Sequence, residues 1–266
     1  MALAARDVPS RVRLWARRQE TVDTARTLGI HAATCDLTTA VEAADLLVLA
    51  LPVGSMAPLL ARAVEAGLPA GCLVTDVGSV KRVPHQTIPP LLAGRGIEFI
   101  GSHPMAGSER TGLPAAAADL FRDAACLLTN DGNVPPARAD LLENFWQSVG
   151  CRTAWMSAAV HDALVARISH LPHILAASAA RICLQDPAEG RFGGGGLRDT
   201  TRVSSGNPEM WAEILSENRE ALLGPLRETI VDLGVILSHL ENNLQEAAQG
   251  WLTTAKLQRD LLHPPS

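Results

Sequence analysis

Aromatic residues are scarce in this chain of 266 residues: they make up 3% of it, and tyrosine is absent. Proteins that stack nucleic-acid bases rely on such side chains, so no base-stacking surface is expected. The formal net charge of −5 points the same way, because nucleic acids and anionic membranes attract basic surfaces. We therefore expect neither nucleic acid nor a membrane as a partner.

The sequence also lacks cysteine pairs and long hydrophobic segments. Its cysteines are scattered, with no Cys-x-x-Cys spacing and no secretory signal before them, as in proteins of a reducing cytoplasm. The longest apolar stretch, Ala43 to Val53, is interrupted by Asp45 and Pro52 and is far shorter than the roughly 20 residues that cross a bilayer. These features predict a cytoplasmic protein that is neither exported nor embedded in a membrane.

The chain does contain a clear alternation of local patterns. From Arg11 to about Met156, short β-rich runs alternate with segments of helical spacing, which is typical of βα units around a mainly parallel sheet. The predicted strands are 12–15, 46–50, 73–77, 98–100, 125–129 and 152–155, and the predicted helices are 20–28, 57–66 and 136–149. The fold class predicted for this part is therefore α/β. The strand at 46–50 is apolar throughout, which predicts cover on both faces.

Beyond Ser157 the strand signals stop, and apolar residues recur at the three- or four-residue spacing of helices. Asn207 and Pro208 predict a helix start, with Asn as the cap and Pro in the first turn. We therefore expect an α/β domain at 1–156 and an all-helical domain at 157–266. Long C-terminal helices with an apolar face are typical of a domain core or a dimer interface.

A histidine near the end of one predicted strand is the strongest chemical signal. His103 follows the apolar run 97–100, and Gly101 and Pro104 predict an irregular loop around it. Loops at the carboxyl ends of parallel strands bind ligands in open α/β folds. Ser79 follows another apolar strand, so its hydroxyl is expected at the same sheet edge. A capped turn at the histidine and helix capping by the serine are the alternatives.

A second pair of histidines lies in the helical part. His170 and His173 are three residues apart, so a helix would present both imidazoles on one face, while Pro172 interrupts the helical hydrogen bonds there. A zinc site is conceivable, but no third ligand follows at a recognisable spacing. We therefore predict no metal.

The glycine run 193–196 precedes Arg202, an arginine that can bind a carboxylate. A glycine tract that follows a helix is a poor phosphate loop and predicts a flexible connection. Arg202 can hold a carboxylate through two parallel hydrogen bonds, whereas a lysine acts only as a point charge. Asp199 lies one helical turn earlier and is placed to orient that guanidinium.

Taken together, these segments resemble the prephenate/arogenate dehydrogenase family. The motifs occur in the order and at the spacing of that family, and they cover nearly the whole chain. The resemblance rests on Thr75–Lys81, Gly101–Glu109, 120–121, 161–162, Ser169–His173, Leu197–Arg202 and Trp211. It implies a Rossmann-type domain followed by a helical dimerisation domain, with a homodimer formed through the C-terminal helices. It also implies oxidative decarboxylation of a small cyclohexadienol, with hydride transfer to NAD(P)⁺, on the route to tyrosine.

The resemblance also implies roles by position. His103 would accept the proton or hydrogen bond of the ring hydroxyl, a task that an ordinary histidine pKa near 6.5 suits at neutral pH. Ser79 would orient this histidine, the hydroxyl and the nicotinamide. Arg202 would hold a substrate carboxylate, with His170 and His173 shaping the pocket. The positions that resemble ones lining or gating the family's site are Glu109, Gly195, Asp199 and Trp211.

The N-terminus departs from the family. Members open with a strand and a Gly-x-Gly-x-x-Gly turn that receives the cofactor pyrophosphate, whereas residues 1–6 resemble the middle of the helix that follows such a turn. Loss of the first strand would remove the centre of the sheet and leave its neighbours unpaired. We therefore expect a misplaced start or a fragment, and weak or absent dinucleotide binding by the sequence as written. The alternative is a natural protein that manages without the loop.

Cofactor and substrate preferences follow from single positions. Arg17 and Arg18 stand where NAD-specific members carry an acid, and arginines there can pair with a ribose 2′-phosphate, which favours NADP over NAD; a solvated charge pair is the alternative. Pro52 and Val53 complete the expected cofactor contacts. His173 resembles prephenate-using members more than arogenate-specific ones, so prephenate is the expected substrate and arogenate the alternative.

Two other functions fit part of the sequence. Dehydrogenases of the β-hydroxyacid type share the architecture, but they use a catalytic lysine on a long helix, and the chain's two lysines, Lys81 and Lys256, do not supply one. A non-catalytic homologue that keeps only the helical dimer would account for the missing glycine loop. It would not account for the retention of the expected catalytic and substrate-binding side chains.

Overall fold

The computed structural model describes residues 11–106, 113 and 116–262. Eight strands are found in these ranges: β1 (Leu14–Trp15), β2 (Ala33–Thr34), β3 (Leu46–Leu49), β4 (Leu73–Asp76), β5 (Glu98–Phe99), β6 (Gly101–Pro104), β7 (Ala125–Thr129) and β8 (Arg152–Met156). Every predicted strand is present close to its expected bounds, while β2 and β6 were not predicted. The α/β architecture is therefore confirmed.

Helices alternate with these strands and then follow one another without further strands. The helices of the α/β part are α1 (Gln19–Thr27), α2 (Leu37–Val41), α3 (Val53–Glu65), α4 (Arg82–Thr87), α5 (Pro89–Leu92) and α6 (Pro136–Ser148). After β8 come α7 (Ala158–Val165), a π-helical turn (Ala166–His170), α8 (Leu171–Cys183), α9 (Pro187–Gly190), α10 (Gly195–Thr201), a 3₁₀ turn (Arg202–Ser205), α11 (Pro208–Glu217), α12 (Arg219–Glu241) and α13 (Gln245–Asp260).

Strand pairing forms three sheets among the described residues. β1 and β2 pair in parallel, as do β3, β4 and β5 in that order, and β7 pairs in parallel with β8. All four residues of β4, the middle strand of its sheet, are buried. In β3 Leu49 is buried and the other three residues are partly buried. Leu46 and Leu47 pack against two different core clusters, so both faces of the strand are covered, as predicted, although Ala50 after it is exposed.

β6 corrects the prediction of an irregular loop around His103. Residues 101–104 form a strand antiparallel to β7, with His103 opposite Leu127. Gly101 favours this pairing because it has no side chain: an added Cβ would overlap the Oγ1 of Thr129, its partner on β7, and would lie 2.9 Å from the Cδ of Lys81. Pro104 is tolerated because it is the last residue of the strand.

Helix ends in the second half of the chain follow their sequence signals. The Asn207 side chain caps α11 by accepting the main-chain N–H of Met210 at 2.9 Å, as predicted. The π-helical turn before α8 accommodates Pro172 at the start of that helix. The glycine run differs from its prediction, because its second half forms the first turn of α10 rather than a flexible connection.

The chain forms two compact units, one up to Arg219 and one from Glu220. In the second unit, the indole N–H of Trp251 on α13 donates to Asp232 on α12 at 3.0 Å. Many apolar side chains of this unit are exposed: Ile230, Val231, Leu233, Val235, Leu237, Leu240, Leu252 and Leu257. No described helix combines the length and hydropathy that crossing a bilayer requires. The boundary near 156 stays a prediction.

Candidate active site

Buried hydrogen bonds of Ser102, the residue before His103, hold the β6 strand in position. Ser102 is fully buried, and its hydroxyl lies 2.7 Å from the hydroxyl of Thr75 on β4. The indole N–H of Trp146 on α6 donates to the same oxygen at 2.9 Å. Because both partners belong to elements with buried cores, the backbone at His103 has little freedom. His103 itself is 8% exposed.

A hydrogen-bonded chain runs from His103 to a buried carboxylate. His103 Nδ1 lies 2.9 Å from His161 Nε2, and His161 Nδ1 lies 2.8 Å from Asp162 Oδ1. His161 and Asp162 belong to α7 and are almost completely buried. This chain therefore links the β6 imidazole to the first helix after β8.

Asp162 also holds the loop that follows β4. Its carboxylate accepts the main-chain N–H of Lys81 at 2.7 Å and that of Arg82 at 3.0 Å. Burial favours the neutral acid and raises its pKa, but the hydrogen bonds from His161 and from these two amides outweigh burial, and the pKa lies below its ordinary value. Asp162 is therefore an ionised acceptor at the N-terminus of α4.

Lys81 and Asp76 form a salt bridge with both side chains fully buried. Asp76 also accepts the main-chain N–H of Gly78 at 2.8 Å and that of Ser102 at 3.3 Å. Burial lowers the pKa of Lys81, while the nearby carboxylate of Asp76 opposes that shift. The pair places a positive charge in the interior near His103.

Every imidazole of the site is biased toward its neutral form. Burial lowers the pKa of His103 well below its ordinary range, and Lys81, His161 and His170 add to the effect. Burial likewise lowers the pKa of His161, against the opposing hydrogen bond to Asp162, and lowers that of His170 to about 4. The base expected from the sequence is therefore weaker, and less readily protonated, than an ordinary histidine.

The second histidine pair meets one tryptophan, Trp211 on α11. His173 stacks on the indole with ring centroids 3.5 Å apart and planes 9° from parallel, while His170 meets it edge-on at 6.1 Å. Gly206 lies against this stack, and an added Cβ would be 2.8 Å from Trp211 Cδ1 and 3.4 Å from His173 Cε1. His170 Nε2 and His173 Nδ1 are buried, and neither has a hydrogen-bond partner in the described part of the structure.

Asn218, at the end of α11, connects the two groups of histidines. Its side-chain nitrogen lies 2.9 Å from the main-chain oxygen of Asp162 and 2.9 Å from His170 Nδ1. The residue is 2% exposed. No sequence pattern indicated this role, since an asparagine after a helix is an ordinary terminator.

The expected cofactor contacts lie where β3 and β4 end. Val53 begins α3 and is buried, whereas Pro52 before it is exposed. Gly78 packs against this helix start, because an added Cβ would lie 2.8 Å from Val53 Cγ2. Ser79 is partly exposed in the same loop, and no hydrogen bond joins it to His103 within the described residues. Its predicted role in orienting the histidine stays a prediction.

Two glutamates of α11 were missed at the sequence level. Glu213 accepts the main-chain N–H of Gly54, in the first turn of α3, at 2.6 Å. Glu217 has one buried carboxylate oxygen, Oε2, without a partner among the described residues. Burial raises the pKa of Glu217 to about 7, and the negative charges of Glu213 and Asp162 add to the shift. Acidic residues on an amphipathic helix are usually solvated, so nothing in the pattern distinguished these two.

The remaining predicted site residues lie on exposed positions. Arg17 and Arg18 follow β1, and Arg18 precedes α1. Asp199 and Gly195 are exposed on α10, and Arg202 is exposed at the start of the 3₁₀ turn. Glu109 lies outside the described residues. The structure thus brings the predicted histidines and Trp211 together, while the substrate role of the exposed residues stays a prediction.

Comparison with known proteins identifies the family. Residues 1–155 match the nucleotide-binding domain of prephenate dehydrogenase, and residues 157–255 match its dimerization domain. The chain is 33% identical to the prephenate dehydrogenase of Bacillus subtilis over 224 residues, which are 83% of this chain and 60% of that protein. This chain belongs to the prephenate dehydrogenase family. It is also 34% identical to the cyclohexadienyl dehydrogenase of Zymomonas mobilis, over 84% of this chain and 77% of that protein.

A solved member of the family has the same fold. The prephenate dehydrogenase of A. aeolicus, in a complex with hydroxyphenyl propionate and NAD⁺, superimposes with a TM-score of 0.87 at 25% identity, covering 98% of this chain and 93% of that one. The predicted order, a Rossmann-type domain followed by a helical domain, is therefore confirmed. The chain spans about 60% of the length of the B. subtilis relative.

Proposed function

We propose that this chain oxidatively decarboxylates prephenate to 4-hydroxyphenylpyruvate, a step of tyrosine biosynthesis. The observation that carries the proposal is the buried, neutral imidazole of His103, whose Nε2 has no hydrogen bond within the described residues. His170 and His173 also have buried ring nitrogens that no described group satisfies. Unpaired polar atoms in a buried site suit a small substrate that carries a hydroxyl and carboxylates.

The chemistry assigns one proton transfer to the protein. A bound nicotinamide supplies the acceptor for the hydride of ring carbon C4. As that hydride leaves, His103 Nε2 accepts the hydroxyl proton and C4 becomes a carbonyl carbon. The ring carboxylate then departs as CO₂, and its bonding electrons enter the ring. The phenolate formed takes the proton back from His103, which restores the base.

The assay for this proposal measures 4-hydroxyphenylpyruvate and CO₂ from prephenate, with arogenate tested in parallel. Because the sequence as written is expected to bind the dinucleotide weakly, the cofactor is supplied at high concentration, and under that condition we expect turnover of prephenate. We expect His103→Gln to lower kcat by about 10²- to 10⁴-fold, the usual contribution of a general base. His31→Gln, at an exposed position after α1, is the matched control and should leave kcat unchanged. Activity on arogenate alone would overturn the choice of substrate, and activity on neither compound would overturn the function.

Side chains on α10 and the 3₁₀ turn complete the proposed substrate site. Arg202 would hold a substrate carboxylate, and Asp199 would orient its guanidinium. Glu109, Gly195 and Trp211 would line or gate the site. Arg202→Lys keeps the charge but loses the two-pronged geometry, so it should raise KM for prephenate with little change in kcat. An unchanged KM would remove Arg202 from the substrate site.

The described residues fit a nicotinamide nucleotide, and we favour NADP over NAD. The loop of Gly78 and Ser79 packs against the start of α3, at the carboxyl ends of β3 and β4, the edge at which open α/β sheets bind ligands. Arg17 and Arg18 are exposed at the end of β1, where a ribose 2′-phosphate can pair with them. Pro52 and Val53 would contact the same ligand.

Comparing kcat/KM for the two cofactors tests this preference. We expect NADP⁺ to be preferred, and we expect Arg17→Ala and Arg18→Ala to reduce that preference. Arg259→Ala, at an exposed position of α13, should leave it unchanged. A tenfold preference for NAD⁺ in the unmodified chain would refute the assignment.

We also propose a homodimer that forms through α12 and α13, in the cytoplasm. The match of residues 157–255 to a dimerization domain supports this, and so do the exposed apolar residues of the second unit. Light scattering should give twice the protomer mass at micromolar concentration. Leu237→Lys and Leu240→Lys should shift the mass toward one protomer, and a monomeric unmodified chain would exclude the dimer.

A further inference from the structure

We propose that Asp162 is a positioning residue that fixes which ring nitrogen carries the proton on two histidines of the site: on His103 through His161, and on His170 through Asn218. The inference deepens the proposed function, on which its catalytic consequence rests. The proton positions themselves depend only on the hydrogen bonds of the resting protein.

The first branch starts from the Asp162 carboxylate. Its oxygens accept the main-chain N–H groups of Lys81 and Arg82 as well as the contact from His161 Nδ1. An ionised carboxylate can only accept hydrogen bonds. The Nδ1 of His161 must therefore carry a proton.

The same branch then determines the state of His103. His161 is completely buried, and burial lowers its pKa, so the ring is neutral and its second nitrogen, Nε2, holds a lone pair. His103 Nδ1, 2.9 Å away, must donate to that lone pair. The proton of neutral His103 is therefore on Nδ1, and Nε2 is left as an acceptor. That is the form a general base for a hydroxyl proton requires.

The second branch starts from the main-chain oxygen of Asp162. A carbonyl oxygen only accepts, so the Asn218 side chain must turn its NH₂ group toward it, which settles the orientation of the amide. The second hydrogen of that group then points to His170 Nδ1 at 2.9 Å. His170 Nδ1 must be a lone pair, and its proton is on Nε2, a buried donor without a partner among the described residues.

The two branches give the site opposite hydrogen-bonding characters. His103 presents an acceptor, which suits the hydroxyl hydrogen of the proposed substrate, and His170 presents a donor, which suits a carboxylate or keto oxygen. Neutral histidines in solution exchange between the two tautomers. Without the Asp162 carboxylate, His103 would hold its correct form only part of the time, and without the Asn218 amide the same would be true of His170, since the main-chain oxygen of residue 162 does not depend on the side chain. His161, Asp162 and Asn218 act through other residues and need not touch the substrate.

Nitrogen-15 NMR of histidine-labelled protein tests the proton positions without any substrate. Long-range correlations from the ring hydrogens distinguish a protonated nitrogen from a bare one, and single histidine variants assign the signals. We expect His103 to be protonated at Nδ1 and His170 at Nε2. A proton on His103 Nε2, or a mixture of tautomers in the unmodified chain, would overturn the proposal whether or not the protein turns over prephenate.

Two variants of His161 separate positioning from simple packing. Glutamine reaches the place of the imidazole Nε2 and can accept from His103, whereas asparagine reaches only the place of Nδ1 and cannot. His161→Asn should therefore lower kcat by about tenfold or more, a fraction of the general-base contribution, with KM little changed and with mixed tautomers at His103. His161→Gln should retain most of kcat. Equal losses of kcat in the two variants, with equal melting temperatures, would show that His161 has a structural role only and would contradict the proposal.

Asn218→Leu tests the second branch with a side chain of similar size that cannot donate. We expect His170 to show mixed tautomers, KM for prephenate to rise severalfold, and His103 to keep its proton on Nδ1. A His170 that stays protonated at Nε2 alone in this variant would exclude Asn218 as the controlling group. If the unmodified protein turns over no substrate, the tautomers still decide the proposal, while the proposed function fails separately.

Discussion

Replacing Lys81 by methionine tests how far the interior around His103 depends on one buried charge. Lys81 and Asp76 are both fully buried and pair with each other, and methionine matches the length and volume of the lysine stem. Without the ammonium, Asp76 keeps only the main-chain N–H groups of Gly78 and Ser102. Its charge is then buried without a compensating cation.

The size of the effect follows from that loss. Removing one partner of a buried ion pair destabilises a protein by about 3–5 kcal/mol, and the two remaining hydrogen bonds to Asp76 place this case near the lower value. At about 2–4 °C per kcal/mol for a chain of this size, the melting temperature should fall by roughly 6–12 °C. Adding Asp76→Asn to Lys81→Met removes the stranded charge and should recover part of that loss.

The chain supplies its own control, because its second lysine is also paired with an aspartate. Lys256 and Asp260 form an exposed pair four residues apart on α13, and such pairs contribute about 0.5 kcal/mol or less. Lys256→Met should therefore change the melting temperature by about 1–2 °C at most. Calorimetry of the two variants under the same conditions makes the comparison. If Lys81→Met melts no lower than Lys256→Met, the reasoning is refuted.

Lys81→Met should also move the pH profile. The positive charge of Lys81 contributes to the lowered pKa of His103, after burial, so its removal raises that pKa. A base with a higher pKa becomes protonated at higher pH. The acid limb of kcat/KM should therefore shift upward in pH in this variant and stay in place in Lys256→Met.

Three further outcomes are expected. Glu217→Gln should stabilise the protein at pH 8 but not at pH 5. Folding raises the pKa of Glu217 from 4.5 to about 7, so the folded protein loses stability as pH rises from 4.5 through 7 and the buried carboxyl must ionise. Equal melting shifts at both pH values would contradict this. In the Glu217→Gln variant, stability should fall as pH is lowered from 6.5 toward 4. Over that range the histidine of the unfolded chain binds a proton, whereas buried His170, with a pKa of about 4, stays neutral. A urea midpoint that does not change with pH would contradict this. Gly206→Ala should displace the His173–Trp211 stack and raise KM severalfold, whereas Gly250→Ala, with open space on α13, should not.

The fold could be predicted wherever one local pattern dominates. Strands such as β4 and β7 are short β-rich runs, and the segments after β8 carry apolar residues at helical spacing without further strand signals. β6 could not be predicted, because Gly101 and Pro104 signal a turn and the strand exists only through its pairing with β7. That pairing joins segments more than twenty residues apart, and no local pattern records it.

The site residues also divide into those that could be predicted from the sequence and those that could not. His103, His170 and His173 are titratable side chains in unusual local settings, so their spacing and the family resemblance singled them out. His161, Asp162 and Asn218 received no role, because polar residues at such positions are usually exposed or serve as helix ends. Their contacts span 58 residues from His103 to His161 and 56 from Asp162 to Asn218, so only the folded chain brings them together.

The lowered pKa of His103 looks at first like a defect in a general base, but it matches the proposed reaction. A ring alcohol is a poor acid while C4 keeps its hydrogen. As the hydride leaves, the group becomes a protonated carbonyl, which is far more acidic, so a weak base accepts its proton. Nearby Lys81 disfavours the imidazolium that results, so the proton is readily returned once CO₂ has left and a phenolate has formed. The burial that weakens His103 therefore helps to release it for the next turnover, provided that its lone pair stays on Nε2.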